Sequence, residues 1–79
     1  MTARASSLPA MKLSARNKLP ATVTGITEGP ATANVELDCN GIRLVASITV
    51  EAARELGLQR GSSVIALVKA SDVILGIED

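Results

Sequence analysis

"TANVELDCNGIRLVASI", residues Thr32 to Ile48, decides the fold. Ala33, Val35, Leu37 and Cys39 recur in a period of two, separated by polar residues. That is the pattern of a strand with one buried face. Asn40-Gly41 follows, and both residues tolerate positive φ, so the dipeptide is a strong signal for a two-residue hairpin turn. "IRLVASI" (Ile42 to Ile48) then returns as the partner strand.

Working outward from the hairpin, "KLPATVTGIT" (Lys18 to Thr27) is rich in β-branched residues and reads as an earlier strand, with "EGP" (Glu28 to Pro30) as the turn between. On the other side Thr49 stands where a helix N-cap belongs, Glu51 falls in the first turn, and "VEAAREL" carries apolar residues at helical spacing until Gly57 supplies a stop. "RGSS" (Arg60 to Ser63) turns the chain into "VIALVK" (Val64 to Lys69). "ASD" (Ala70 to Asp72) interrupts it, and "VILGI" (Val73 to Ile77) reads as a last short strand. Three strands, one short helix and two strands predict an all-β fold of the OB type, a five-stranded, partly open Greek-key barrel. The opening "MTARASSLPA" is small, polar and aperiodic, so residues 1–10 are expected to be a flexible tail ahead of a single domain over residues 11–79.

Composition narrows the function classes. The 79 residues include no Phe, Tyr or Trp, so the core must be built from Val, Ile, Leu and Ala. A domain of this size buries only about 60% of its unfolded surface and is marginal alone. The single Cys39 forms no internal disulfide, and with no His a structural zinc site is not expected, which leaves oligomerisation as the remaining aid to stability. Eight basic and eight acidic residues cancel. Without net positive charge or an aromatic platform, nucleic acid is not an expected partner. No apolar run approaches the roughly 20 residues of a membrane span, and the first ten residues contain no apolar core of a secretory signal. A cytoplasmic protein with a reduced thiol is the expectation.

Two places collect hydrogen-bond donors. "SARN" (Ser14 to Asn17) lies just before the first expected strand, and "KAS" (Lys69 to Ser71) just before the last. Each joins a cation to hydroxyl and main-chain donors without a neighbouring acid, except that Asp72 adjoins the second. A guanidinium fork, an ammonium, serine hydroxyls and N–H groups are what a tetrahedral oxyanion needs, because each of its oxygens accepts two or more charge-assisted hydrogen bonds. Such residues are also common at strand ends in solvent. The side chain of Asn17 is expected to tie down backbone, Lys18 and Arg43 to be ordinary surface charges, and Cys39 to be a small half-buried hydrophobe.

The chain from Met11 to Glu78 resembles the molbindin, or Mop, family of molybdate-binding domains. "MKLSARNKLPATVTGITEG" is similar to that family's opening with its Ser-Ala-Arg-Asn signature, and "ITVEAARELGL" and "ALVKASDVILG" to its middle and closing motifs in the same order. The extra ten residues ahead of Met11 are the main departure. The resemblance implies strands shared between subunits, oxyanion sites at subunit interfaces, and a homo-hexamer built as a trimer of dimers. It implies molybdate or tungstate as the ligand, with no cofactor and no metal held except as the oxyanion. Carried onto this sequence, it assigns donor roles to Ser14, Arg16, Lys69, the backbone N–H of Ala70, and Ser71, with Thr49 donating from a neighbouring subunit. A helix-capping threonine would occupy the same position, and both readings of Thr49 stand.

Two function classes follow. One is a binding protein that stores the oxyanion without changing it. The other is a regulatory or interaction module that senses the same anion and acts through an unfused partner. An enzyme is not expected, since general acid–base work at neutral pH would call for a histidine or a shifted carboxylate or lysine, and no paired arrangement is visible.

Overall fold

The computed structural model describes residues 14–78. The expected tail over residues 1–10 and the domain start at Met11 lie outside them. Among the described residues there are four strands and one α-helix: β1 (Asn17–Glu28), β2 (Thr32–Cys39), β3 (Ile42–Thr49), α1 (Val50–Glu55) and β4 (Ser63–Val68), followed by a 3-10 turn over Ala70–Asp72. The sheet order is β3-β2-β1-β4. Three consecutive strands lie side by side and the fourth returns beside the first, which is the Greek-key order.

The hairpin is regular along its whole length. β2 and β3 pair antiparallel in continuous register from Thr32 opposite Thr49 to Cys39 opposite Ile42. At the turn Asn40 and Gly41 have φ of 53° and 91°. Two successive positive φ values give the primed turn whose twist matches the strands. Gly41 N–H also donates to Asp38 Oδ1 at 3.2 Å, closing the corner. Alternation then sorts the faces. Ala33, Val35 and Leu37 are buried, Cys39 is half-buried, and Asn34 and Asp38 face solvent. On the polar side Arg43 Nε donates to Glu36 Oε1 at 3.1 Å. Arg43 is therefore a surface residue, as expected, and the exposed ion pair contributes little to stability.

β1 pairs antiparallel with β2, and the register slips between Val23 and Gly25. Thr24 is the extra residue of a bulge, which sharpens the local twist. Val23 is fully buried, and its backbone bonds to the turn before β4 in both directions: its N–H donates to the Ser62 carbonyl at 2.9 Å, and its carbonyl accepts from Gly61 N–H at 2.8 Å. Gly61 has φ of 93°, where a side chain would be strained.

The helix is held by its two ends rather than by its length. Thr49 has extended dihedrals and its Oγ1 accepts from Ala52 N–H at 3.0 Å. At the other end Gly57 N–H donates to the Arg54 carbonyl and Leu58 N–H to the Ala53 carbonyl, with Gly57 at φ of 65°. That pair of bonds is the Schellman closure that a glycine permits. Six residues are too few for a stable isolated helix. Packing α1 against β2 and β3, with Ala53 buried, supplies the rest. The core, Ala21, Val23, Ala33, Val35, Leu37 and Ala53, lies entirely within Pro20–Val64, one of two compact units.

The other unit comprises the chain up to Leu19 and from Ile65 onward. It departs from expectation at its end. Residues 73–78 form no strand, and Val73, Ile74, Leu75 and Ile77 are 49%, 92%, 90% and 94% exposed in the single chain. The expected fifth strand is absent among the described residues. A strand exists only where a neighbour accepts from its N–H groups and donates to its carbonyls, and none of the described residues supplies such a neighbour to this segment.

Candidate functional site

The residues at the two donor corners belong to the same compact unit. Ser14 and Arg16 precede β1 and are exposed, Ser14 at a bend. Lys69, Ala70 and Ser71 follow β4 and are also exposed. One hydrogen bond joins the two segments: the half-buried Asn17 donates from Nδ2 to the Val68 carbonyl at 3.1 Å, across 51 residues of sequence. Asn17 is the first residue of β1 and Val68 the last of β4. Arg16 and Lys69 therefore each stand one residue from a single tie point.

Beyond Val68 the backbone arranges further donors. Lys69 is extended, with φ of −65° and ψ of 142°, and caps a 3-10 turn in which Asp72 N–H donates to the Lys69 carbonyl at 2.9 Å. The first N–H groups of such a turn have no partner within it. Ala70 and Ser71 hold those positions, so a backbone N–H and a hydroxyl follow directly on an ammonium. Neither Arg16 nor Lys69 forms an ion pair with another described residue, whereas Arg43 and Arg54 are paired with Glu36 and Glu28. Lys18 is half-buried rather than fully exposed.

Thr49 lies in the other unit, Pro20–Val64. Its capping role is realised, and the cap uses an acceptor lone pair of Oγ1 while the hydroxyl proton is left to donate elsewhere. Sequence reasoning placed Asn17 on backbone but did not identify Val68 as its acceptor. The local sequence carries no mark of a partner 51 residues away.

The described residues contain no group of three or more His, Cys, Asp or Glu suited to a metal ion, and no helix among them is long and apolar enough to cross a membrane. The chemistry on offer is hydrogen-bond donation to an anion. Ser14, Arg16, Thr49, Lys69, Ala70 and Ser71 are all exposed in the single chain.

Comparison with known proteins places this architecture. The TOBE domain family matches residues 13–75. The chain is 38% identical over 69 residues to a probable molybdenum-pterin-binding protein of Haemophilus influenzae, covering 86% of this chain and all of that protein. Among solved structures, a molybdate-binding protein from Sporomusa ovata superposes with a TM-score of 0.82 at 43% identity, covering 85% of this chain and 100% of the other. The cytoplasmic molybdate-binding protein ModG, solved with molybdate bound, gives a TM-score of 0.82 at 45% identity, and the match covers 86% of this chain and 49% of ModG. A family match over most of the chain and a relative aligned along its whole length show the family: this chain belongs to the TOBE-domain family, in its molbindin (Mop) group.

Proposed function

We propose that this chain binds molybdate or tungstate as the intact oxyanion and stores it in the cytoplasm, without catalysing a reaction. The observation that carries the reading is the joining of two exposed, donor-rich segments at the Asn17–Val68 bond, in a chain similar to molybdate-binding proteins. Ser14, Arg16, Lys69, the N–H of Ala70, and Ser71 donate from one subunit, and Thr49 donates from a neighbouring copy. A dianion leaving water must have its oxygens nearly saturated with hydrogen bonds. Donors that are all exposed in one chain meet that requirement when a second chain closes over them.

The finer architecture belongs to the same proposal. Val73–Ile77 becomes the fifth strand of an OB-like barrel by pairing with a neighbouring copy, and six copies assemble as a trimer of dimers. Residues 1–10 stand apart as an appendage to the domain of residues 11–79. The name of the Haemophilus influenzae relative suggests a pterin as an alternative ligand. The absence of Phe, Tyr and Trp favours the inorganic anion, since planar heterocycles are commonly held by aromatic stacking.

Calorimetric titration of molybdate into the assembled protein tests the reading. Charge-assisted hydrogen bonds contribute roughly 1.5–3 kcal/mol each, so Arg16→Ala and Lys69→Ala should weaken binding about ten- to a hundredfold, and Ser14→Ala and Ser71→Ala less. Arg43→Ala removes an equal charge from an exposed ion pair on the hairpin and should change affinity little. Equal affinities for all three cation variants would overturn the site.

A further inference from the structure

Asn17 is not among the donors proposed above, yet it is the one described residue whose side chain bonds the two donor segments together. The bond lies where the sheet stops. Beyond Asn17 in one direction and Val68 in the other, the chain leaves regular strand. Val68 presents a carbonyl, which can only accept, so the position calls for a donor. The Asn17 amide supplies one at 3.1 Å. Asn17 is half-buried while Ser14, Arg16, Lys69, Ala70 and Ser71 are exposed, so water competes less for this bond than for any donor around it.

Gripping an anion orders both the long cationic side chains and the backbones that carry them, and the total cost is smaller when those backbones are already fixed. From these observations, and resting on the oxyanion reading above, we infer that Asn17 is a positioning residue: its amide holds the Arg16 and Lys69 backbones in register so that both cations serve one anion. It touches no ligand itself. A bond that served only the fold would affect stability and leave the donors acting independently. A positioning bond couples to the donors, and removing it costs little once one of the positioned cations is already gone.

A double-mutant cycle on the full chain reads this coupling. Asn17→Leu keeps much of the side-chain volume and removes the donor; Asn17→Ala serves as a second variant. Molybdate affinity is measured by calorimetry, with oligomer mass and melting temperature recorded alongside. The expected result is an assembled Asn17 variant that binds roughly tenfold more weakly. Combined with Lys69→Ala it should bind no more than about twofold more weakly than Lys69→Ala alone, because the two losses overlap. Parent-like affinity in Asn17→Leu, or a double variant showing the full product of the two single losses, would overturn the inference while leaving the site intact. Failure of both Asn17 variants to assemble would assign the bond to the fold and overturn it too. If Lys69→Ala itself bound like the parent, the oxyanion site would fail and the inference with it.

Discussion

The β2–β3 hairpin and the segment after β4 are similar in composition and opposite in condition. Both are rich in Val, Ile and Leu. In the hairpin every residue from Thr32 to Cys39 has a cross-strand partner, Ala33, Val35 and Leu37 are buried, and a short helix packs against both strands. In residues 73–78 there is no rung, and Ile74, Leu75 and Ile77 are almost wholly exposed. The hairpin completes itself because its partner strand is two residues away. The final segment contains as strong a strand signal with no described neighbour to satisfy it. Apolar surface of this kind, beside donors that are themselves exposed, fits a chain whose binding site and core are both finished by another copy.

Changes on the two sides of this contrast should behave differently. Leu37 is buried at the centre of the hairpin, and Leu37→Ala should cost about 2–5 kcal/mol through lost burial and the cavity left behind. Chemical denaturation at fixed chain concentration measures it, and a cost under 1 kcal/mol would mean the hairpin is not the core. Ile74→Asp introduces a charge where the single chain exposes the side chain almost fully, so in an isolated chain it should be nearly neutral. If a neighbouring copy buries Ile74, the change forfeits about 1.5–3 kcal/mol of apolar burial per copy and adds a desolvated charge. Sedimentation at low micromolar concentration should then show smaller species than the parent. An unchanged assembly would remove this segment from the interface.

How much the amino-acid order revealed follows the same division. The hairpin, its Asn40-Gly41 turn, the Thr49 cap and the Gly57 stop were legible because each depends on residues within a few positions of one another. β1 was legible from its β-branched content and runs one residue further at each end than Lys18–Thr27. The bulge at Thr24 was not, since it arises from the register with β2 rather than from Thr24 itself. At the candidate site the donor types and their two locations could be read directly. Their connection through Asn17 and Val68 could not, because tertiary structure alone brings those residues together. The expected strand at Val73–Ile77 shows the limit most clearly. Propensity identified a segment that favours extension, and pairing depends on what lies beside it.

Thr49 offers the smallest and most discriminating change, because its hydroxyl can serve two purposes. As an acceptor it caps α1 through the 3.0 Å bond from Ala52 N–H, and Thr49→Ala should cost about 1 kcal/mol of stability. As a donor it would contribute to an oxyanion held against a neighbouring subunit, and Thr49→Ala would then weaken binding as well. That variant cannot separate the roles, since a frayed helix could disturb a site indirectly. Thr49→Asp can. Aspartate is as good an N-cap as threonine or better, and its negative charge favours a helix N-terminus, so the helix and the melting temperature should be preserved. At neutral pH, however, a carboxylate donates nothing and repels a dianion. If Thr49 only caps, Thr49→Asp should assemble, melt and bind molybdate as the parent does. If Thr49 also donates across the interface, the variant should remain as stable as the parent and bind at least tenfold more weakly. The second result is the one expected, and calorimetry paired with a melting curve on the same sample distinguishes it from the first.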